Sequence, residues 1–228
     1  RSKIAGEVIA TPGCESNVKE IFDKTWELRR TRKDVVIFNQ FEEMGNVLWH
    51  YQVTGKAIAD AYESLKTDST RFAGACFTSG SAGTMSAGDY LKEQYPHAKL
   101  AVGEALQCPT LLENGFGGHR IEGIGDKHVP WVHNVKNTDM VIDIDDEDSQ
   151  NLLRLFNTED GHRYLTEIVG VPKETVDQLS LLGISGIANV LCCIKFAKYY
   201  ELTENDVVAT VGTDSAEMYT SRIAELNE

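Results

Sequence analysis

The sequence has few cysteines, few prolines and no excess of basic residues, and these shortages exclude several classes of protein. Its 228 residues include 5 cysteines, 5 prolines and 19 glycines, which excludes collagen-like and disulfide-rich secreted scaffolds. With 22 Lys and Arg against 35 Asp and Glu, the net charge is −13, so the basic surface that binds nucleic acid is missing. No apolar run approaches the length of a membrane-spanning helix. We therefore expect no nucleic-acid partner and no membrane partner.

Apolar residues are plentiful and recur along the whole sequence. They make up 42% of it, which indicates a globular protein with a substantial core. The cysteines are odd in number and widely spaced, except for Cys192 and Cys193, which lie in an apolar helical pattern and are predicted to be core residues. Thiols of this kind are typical of a reducing compartment, so we expect a cytoplasmic protein.

Short apolar runs typical of buried strands alternate with segments of helical spacing. The predicted strands are residues 7–11, 35–39, 72–77, 99–103, 140–144 and 207–211. The predicted helices are residues 16–30, 47–65, 85–94, 147–156 and 187–200. Strands without polar alternation are covered on both faces, which favours parallel pairing with helices as crossovers. The predicted fold class is therefore α/β, a doubly wound, mostly parallel sheet with helices on both faces.

One strand-to-helix turn has the composition of a phosphate-binding bend. In open α/β sheets, ligands bind beyond the carboxyl ends of the strands. The strand ending at Phe77 is followed by Thr78-Ser79-Gly80-Ser81-Ala82-Gly83-Thr84 and then directly by a helix. Small residues allow a close approach of the backbone, and the first N–H groups of a helix favour an anion. The stretch is neither a P-loop nor a dinucleotide fingerprint, and a tight turn without a ligand is the alternative.

Other polar clusters carry weaker signals. Ser185 opens the helix predicted over residues 187–200, where an N-cap is the simpler role. The acidic run of residues 143–148 lacks the glycine and ligand spacing of a calcium loop, and acids at a helix start favour its dipole, so we expect no metal there. Four histidines lack zinc-ligand spacing and are expected to have structural roles or to lie on the surface: His119, His128, His133 and His162.

Taken in order, these pieces resemble the pyridoxal phosphate (PLP) enzymes of fold type II, in particular the cysteine synthase and cystathionine β-synthase group. Gln40-Phe41 with Asn46, His50 and Thr54-Gly55 is similar to that group's Q-F-x-N-P-A-N-P-x-x-H-x-x-T-T-G stretch. Residues 79–84 lie where the family has its phosphate loop, and residues 120–125 resemble its I-x-G-I-G. Gly183-Ile184-Ser185 resembles G-I-S-S-G, and residues 214–219 resemble D-S-G-E-R-Y.

The resemblance implies a PLP cofactor and gives roles to particular residues. The phosphate would be held by the small residues of the bend: Ser79, Gly80, Ser81, Ala82, Gly83 and Thr84. Ser185 would face the pyridine nitrogen, with Asp214 nearby, although a helix-capping role for Asp214 is equally open. Gln40 would contact the substrate carboxylate, and Gly123 would lie in the loop that closes over it. A neutral hydroxyl at the ring nitrogen leaves a weaker electron sink than a carboxylate would, which favours β-elimination over transamination.

The resemblance also implies that part of the complete enzyme lies outside this chain, which looks like the C-terminal two thirds. Residues 1–13 would be a remnant of the small N-terminal domain, which is otherwise mostly missing. Residues 14–228 would be the large PLP-binding domain, with a helical insertion at residues 157–180. The Schiff-base lysine is expected upstream of Arg1, because Lys19 and Lys33 fall in a helical stretch beyond the family's lysine motif. The chain alone is therefore expected to be inactive, and the family usually forms homodimers.

The predicted function is PLP-dependent β-elimination or β-replacement on a serine- or cysteine-like amino acid. This chain would carry the contacts to the phosphate and the pyridine nitrogen. Two alternatives stay open. One is a PLP-dependent dehydratase or ammonia-lyase on the same scaffold. The other is a non-catalytic subunit that binds a phosphate-bearing ligand and is completed by another chain.

Overall fold

A computed structural model describes residues 6–12 and 18–226 of the chain. Its sheet consists of parallel strands with the order β3-β2-β1-β4. The strands are β1 (Arg71–Thr78), β2 (Lys99–Ala105), β3 (Met140–Ile144) and β4 (Asp206–Ala209). All four correspond to apolar runs that predicted strands, and their parallel pairing follows from the helical segments that separate them in sequence.

Helices of several lengths connect and cover the strands. The α-helices are α1 (Lys19–Thr31), α2 (Met44–Trp49), α3 (Lys56–Leu65), α4 (Met85–Gln94), α5 (Thr110–Glu113), α6 (Asp146–Asn157), α7 (Glu159–Arg163), α8 (Lys173–Val176), α9 (Ile184–Tyr199) and α10 (Thr220–Glu225). Two segments are π-helical, His50–Gly55 and Tyr164–Val169, and three are 3₁₀-helical, Val135–Asn137, Leu179–Leu181 and Ala216–Tyr219.

Helices cover both faces of the sheet, which confirms the predicted fold class. Successive side chains of a strand point to opposite faces, so β1 and β2 contribute to two separate cores. One core packs α9 and α6 on the sheet and contains Cys76, Cys192 and Phe196. The other packs α3 and α4 on the opposite face and contains Phe77 and Leu100. Cys192 is fully buried and Cys193 is partly buried against the same core, as predicted for this pair.

The strand order reverses between β1 and β4. From β1 the chain crosses to β2 on one side, and it returns through β4 on the other. A crevice opens at the carboxyl ends of the strands where such a reversal occurs. Asn189 of α9, which is 1% exposed, bridges this point: its Oδ1 accepts from the Thr78 N–H at 2.8 Å and its Nδ2 donates to the Val211 carbonyl at 2.9 Å.

Two of the predicted strands are wrong. Residues 7–11 and 35–39 pair with no strand in the described part of the chain. Val36 and Phe38 are 77% and 88% exposed, so these apolar side chains are not buried between helices. A strand needs a neighbour for its backbone N–H and C=O groups, and the apolar pattern cannot show whether that neighbour exists.

The helix predicted over residues 47–65 is divided by a π-helical segment. α2 passes into His50–Gly55 before α3 begins. The π-helical segment packs against α4 so closely that a Cβ on Gly55 would lie 2.8 Å from the Cβ of Tyr90. Such segments occur frequently at functional sites. Here the segment carries His50, which reaches the bend that follows β1.

The insertion predicted at residues 157–180 is helical and interrupted. It consists of α7, the π-helical segment Tyr164–Val169, α8 and the start of a 3₁₀ turn. Gly170 ends the π-helical segment with φ of +83°, a value that suits glycine. No single helix in the described ranges is long and apolar enough to cross a membrane; Lys173–Leu181 and Ile184–Tyr199 pass that test only as a pair bent by 119°.

Candidate functional site

A cavity of about 660 Å³ lies at the carboxyl ends of β1 and β4, within the usual size of small-molecule sites. The bend after β1, the loop around Gly123, the start of α9, the residues after β4 and one face of α1 surround it. The chain carries a net charge of −13, yet no Asp, Glu, Lys or Arg among the described residues lines this cavity. A bound anion would therefore meet neutral donors and no opposing carboxylate.

The bend after β1 forms one wall of the cavity and presents free backbone N–H groups. The N–H groups of residues 80–84 donate to no other described residue. The bend leads into α4, and no side chain caps that helix. Ala82 has φ of +60°, a conformation that costs energy for a residue with a Cβ. Unpaired N–H groups at a helix N-terminus form an anion-binding arrangement.

Gly83 lies against two side chains of the preceding helical segments. A Cβ on Gly83 would be 2.5 Å from Oδ1 of Asn46 and 2.7 Å from Cδ2 of His50. Asn46 in turn donates from Nδ2 to the carbonyl of Gln40 at 3.0 Å. The absence of a side chain at Gly83 thus lets the bend, His50 and the predicted substrate residue Gln40 share one cavity.

His50 offers a titratable group at this wall. Its Nδ1 lies 3.0 Å from Oγ1 of Thr54, and burial lowers the pKa of the ring, so the imidazole is neutral at pH 7. A phosphate dianion in the bend would favour the charged ring, because opposite charges stabilise each other in a partly buried site. We expect inorganic phosphate to raise the pKa of His50, measured by NMR titration of its ring protons. At fixed pH the ring signals of His97, beyond the far end of α4, should not respond; a His50 titration curve unchanged by phosphate would contradict the expected anion site.

Ser185 faces the cavity from the first turn of α9. It is 6% exposed, and its Oγ lies 2.7 Å from Oγ1 of Thr213, which also lines the cavity. Gly183, rather than Ser185, occupies the N-cap position of α9, so the simple N-cap interpretation of Ser185 is wrong. The hydroxyl is available to the cavity instead.

Two predicted cofactor residues, Ser79 and Asp214, do not line the cavity. Ser79 anchors the bend: its N–H donates to the Gly103 carbonyl at 2.9 Å and its carbonyl accepts from the Gly125 N–H at 2.8 Å. Asp214 fixes the start of α9, because its carbonyl accepts from the Gly183 N–H at 2.8 Å. Its carboxylate accepts from the hydroxyl of Tyr219 at 2.6 Å.

The two predicted substrate-binding residues, Gln40 and Gly123, both line the cavity. Gly123 has φ of +91°, a left-handed conformation that favours glycine. Its carbonyl oxygen would be 3.3 Å from a Cβ on Gly80, so the loop crosses directly over the bend. The substrate loop and the phosphate bend therefore face the same space.

Sequence reasoning missed several residues of the lining, including Asn189, Thr213, Phe38 and the α1 face around Phe22. Asn189 did give a signal, since a polar residue inside an otherwise apolar helix is buried only when it has partners. The α1 face gave none, because its apolar side chains look like those of any amphipathic helix.

No lysine of the described residues lines the cavity. Lys19 pairs with Asp23 in an exposed turn of α1, and Lys33 is exposed. The acidic run begins α6, where the side chain of Asp145 accepts from the Glu147 N–H at 3.0 Å, as expected for acids at a helix start. Among the residues with described positions, no group of three or more His, Cys, Asp or Glu is placed to hold a metal ion.

Comparison with known proteins supports the resemblance seen in the motifs. No protein-family model matches the chain. Over 216 aligned residues it is 28% identical to the cysteine synthase of Staphylococcus aureus. The alignment covers 94% of this chain and 61% of that protein. The probable cysteine synthase of Bacillus subtilis is also 28% identical, with coverage of 94% and 62%. The chain is a relative of the cysteine synthases.

Solved structures of similar enzymes have the same fold as this relative of the cysteine synthases. A hydrogen sulfide-producing enzyme from Fusobacterium nucleatum matches with a TM-score of 0.71 and 25% identity, over 90% of this chain and 55% of that one. The O-acetylserine dependent cystathionine β-synthase of Helicobacter pylori matches with a TM-score of 0.68 and 25% identity, over 90% and 58%. The fold is thus that of the fold type II PLP enzymes, and the chain spans about 61% of the length of the cysteine synthase from S. aureus.

Proposed function

We propose that this chain binds PLP and forms the larger part of an enzyme that catalyses β-elimination or β-replacement on a serine- or cysteine-like amino acid. One observation carries the proposal: the free N–H groups of residues 80–84 face a cavity without carboxylates in a strongly acidic protein. A phosphate group requires such donors and is repelled by carboxylates. The relation to cysteine synthases supplies the reaction class.

The residues present fit the phosphate of PLP. The backbone N–H groups of residues 80–84 and the hydroxyls of Ser81 and Thr84 would hold its oxygens, with His50 beside them. When bound, PLP supplies an electron sink that stabilises negative charge on the substrate α-carbon. Ser185, which also lines the cavity, would contact the ring nitrogen. Because its hydroxyl is neutral, it would stabilise a protonated ring less than a carboxylate would.

The rest of the cavity would orient the amino acid. Gln40 and the backbone of Gly123 would bind the substrate carboxylate through neutral donors. The rings of Phe22 and Phe41 pack edge to face with centroids 5.5 Å apart and line the cavity, where they would limit access of water to the substrate. No lysine is among the described lining residues. On the family resemblance, we assign the lysine that would anchor the cofactor and move the α-proton to a segment upstream of this chain.

Several further features belong to the same proposal. Residues 1–13 would belong to a small N-terminal domain and residues 14–228 to the large domain. The parts of these predictions that concern residues 1–5, 13–17 and 227–228 lie outside the described residues. A cytoplasmic homodimer is proposed from the cysteine pattern and the family resemblance. Asp214 would act on the cofactor only indirectly, by fixing the start of the helix that carries Ser185.

A second candidate function is a PLP-binding subunit that another chain completes. One observation favours it: the described lining contains no lysine and no other strong base. In that case the cavity would bind the cofactor as described here, and the lysine would come from the partner.

Adding PLP to the 228-residue chain tests the proposal. We expect reversible binding that inorganic phosphate displaces, and no covalent adduct after borohydride reduction. Pyridoxal is the matched control ligand, and we expect it to bind at least about tenfold more weakly because it lacks charge-assisted hydrogen bonds to the phosphate. Equal binding of PLP and pyridoxal would refute the phosphate site. A borohydride-stable adduct on Lys19 or Lys33 would refute the assignment of the lysine to another segment.

A further inference from the structure

The loop that carries Gly123 is tied to the C-terminal helix α10. Arg222 donates from Nη2 to Oε1 of Glu122 at 2.6 Å and from Nε to the same oxygen at 3.1 Å. The side chains are 29% and 23% exposed, so this pair is better shielded from water than an ordinary surface pair. Charge-assisted bonds of this length are stronger than neutral ones. In the described ranges, Arg222 is the one cation within ion-pair distance of Glu122.

Separate contacts hold the two ends of the same loop. At its start, the N–H of Arg120 donates to Oδ2 of Asp146 at 3.0 Å, and Gln150 donates to the Arg120 carbonyl at 2.8 Å. At its end, the Gly125 N–H donates to the Ser79 carbonyl at 2.8 Å. Between these ends, the buried side chains of Ile121 and Ile124 and a 3.4 Å bond from the Ile124 N–H to the Ile121 carbonyl close a turn over Glu122 and Gly123. The ion pair to Arg222 adds a tether from outside the loop to this turn.

The middle of the loop contains Gly123, whose backbone has the greatest conformational freedom. Gly123 follows Glu122 directly and has φ of +91°. Glycine reaches many backbone conformations at similar energy, so a free loop would present its N–H and carbonyl to the cavity only part of the time. An ion pair on the adjacent residue reduces that freedom before any ligand binds, which lowers the entropic cost of binding.

We propose that Arg222 is a positioning residue that holds Glu122 so that Gly123 faces the amino-acid substrate. This inference rests on the proposed function, because the substrate contact of Gly123 is part of it. Arg222 itself does not line the cavity, so it acts through Glu122. Helix α10 is thereby part of the substrate side of the site, while the phosphate bend is anchored on β2 and on Gly125 at the end of the loop.

The kinetic test uses Arg222→Gln in the holoenzyme, with Glu225→Gln as the matched control. Glu225 is the other partner of Arg222, at 2.6 Å within α10, so its substitution perturbs the same guanidinium but leaves the pair with Glu122 intact. We expect Arg222→Gln to raise KM for the amino acid about tenfold, with kcat reduced less than about threefold and PLP affinity unchanged. Arg222→Lys should recover part of the loss, and Glu225→Gln should behave as wild type. Equal losses in both Gln variants would overturn the inference.

A structural readout separates this inference from the proposed function. Hydrogen–deuterium exchange of the 228-residue chain without cofactor should show faster exchange of the amides of residues 123–125 in Arg222→Gln, by about tenfold, with β1 unchanged. The double variant Glu122→Arg with Arg222→Glu should restore the protection, and it also serves if Arg222→Gln fails to fold. Unchanged exchange would overturn the tether even if PLP binds. Absent PLP binding with faster exchange would overturn the proposed function and leave the tether intact.

Discussion

Replacing Gly83 with valine is expected to reduce the affinity for PLP by at least about 100-fold, or about 2.7 kcal/mol. Even a Cβ at this position would lie 2.5 Å from Oδ1 of Asn46 and 2.7 Å from Cδ2 of His50. The branched side chain would push both residues away and occupy the space in front of the free N–H groups of residues 80–84. Equilibrium binding of PLP, followed by its absorbance, measures the loss.

The control for this variant is Gly45→Val. Gly45 lies at the second position of α2, next to Asn46, and no described atom lies within 4 Å of a Cβ placed on it. The same change of residue is therefore made in open space close to the site. Gly45→Val should bind PLP as wild type does, and thermal unfolding should show both variants folded. Normal affinity in folded Gly83→Val would place the phosphate somewhere other than this bend.

Replacing Asn189 with alanine is expected to lower the free energy of unfolding by about 3 kcal/mol, because it leaves buried polar groups without partners. Asn189 is 1% exposed and bonds both the Thr78 N–H and the Val211 carbonyl. The first group lies at the end of β1 and the second lies two residues beyond β4, where no ladder hydrogen bond replaces the amide. Urea denaturation followed by circular dichroism measures the change.

Lys198→Ala is the control on the same helix. Lys198 is exposed near the end of α9, and alanine preserves the helix there, so its effect should stay within about 0.5 kcal/mol. A similar small effect for Asn189→Ala would mean that water replaces the amide at both strand ends. The bridge between β1 and β4 would then contribute little to the floor of the cavity.

The core strands could be predicted from the sequence because they are apolar on both faces. β1, β2, β3 and β4 each coincide with a short, mostly apolar run, and the helices between them favour parallel pairing. Residues 35–39 have the same local character but lie outside the sheet. A segment of this kind forms a strand only where a partner strand lies beside it. That depends on the tertiary structure and cannot be read from the residues of the segment.

The candidate site was predictable where local composition specifies geometry. Gly80 and Gly83 precede a helix and Gly123 lies in a loop, positions where a small residue indicates close approach of the backbone. All three line the cavity. Asp214 was placed by motif similarity, and its carboxylate bonds Tyr219 instead of reaching the cavity. The pair Arg222 and Glu122 spans 100 positions in sequence, so no local pattern could reveal it.

The two walls of the cavity share one hydrogen bond, from the Gly125 N–H to the Ser79 carbonyl, and otherwise have separate supports. The bend is secured by hydrogen bonds to β2 and to Gly125 at the end of the glycine loop, while Glu122 in the turn of that loop forms an ion pair with helix α10. On the function proposed above, mutations that alter the ion pair would therefore affect the amino-acid side of the cavity more than its phosphate side. Where two sides of a site have largely separate supports, substitutions can accumulate on one side during evolution while the other side keeps its geometry.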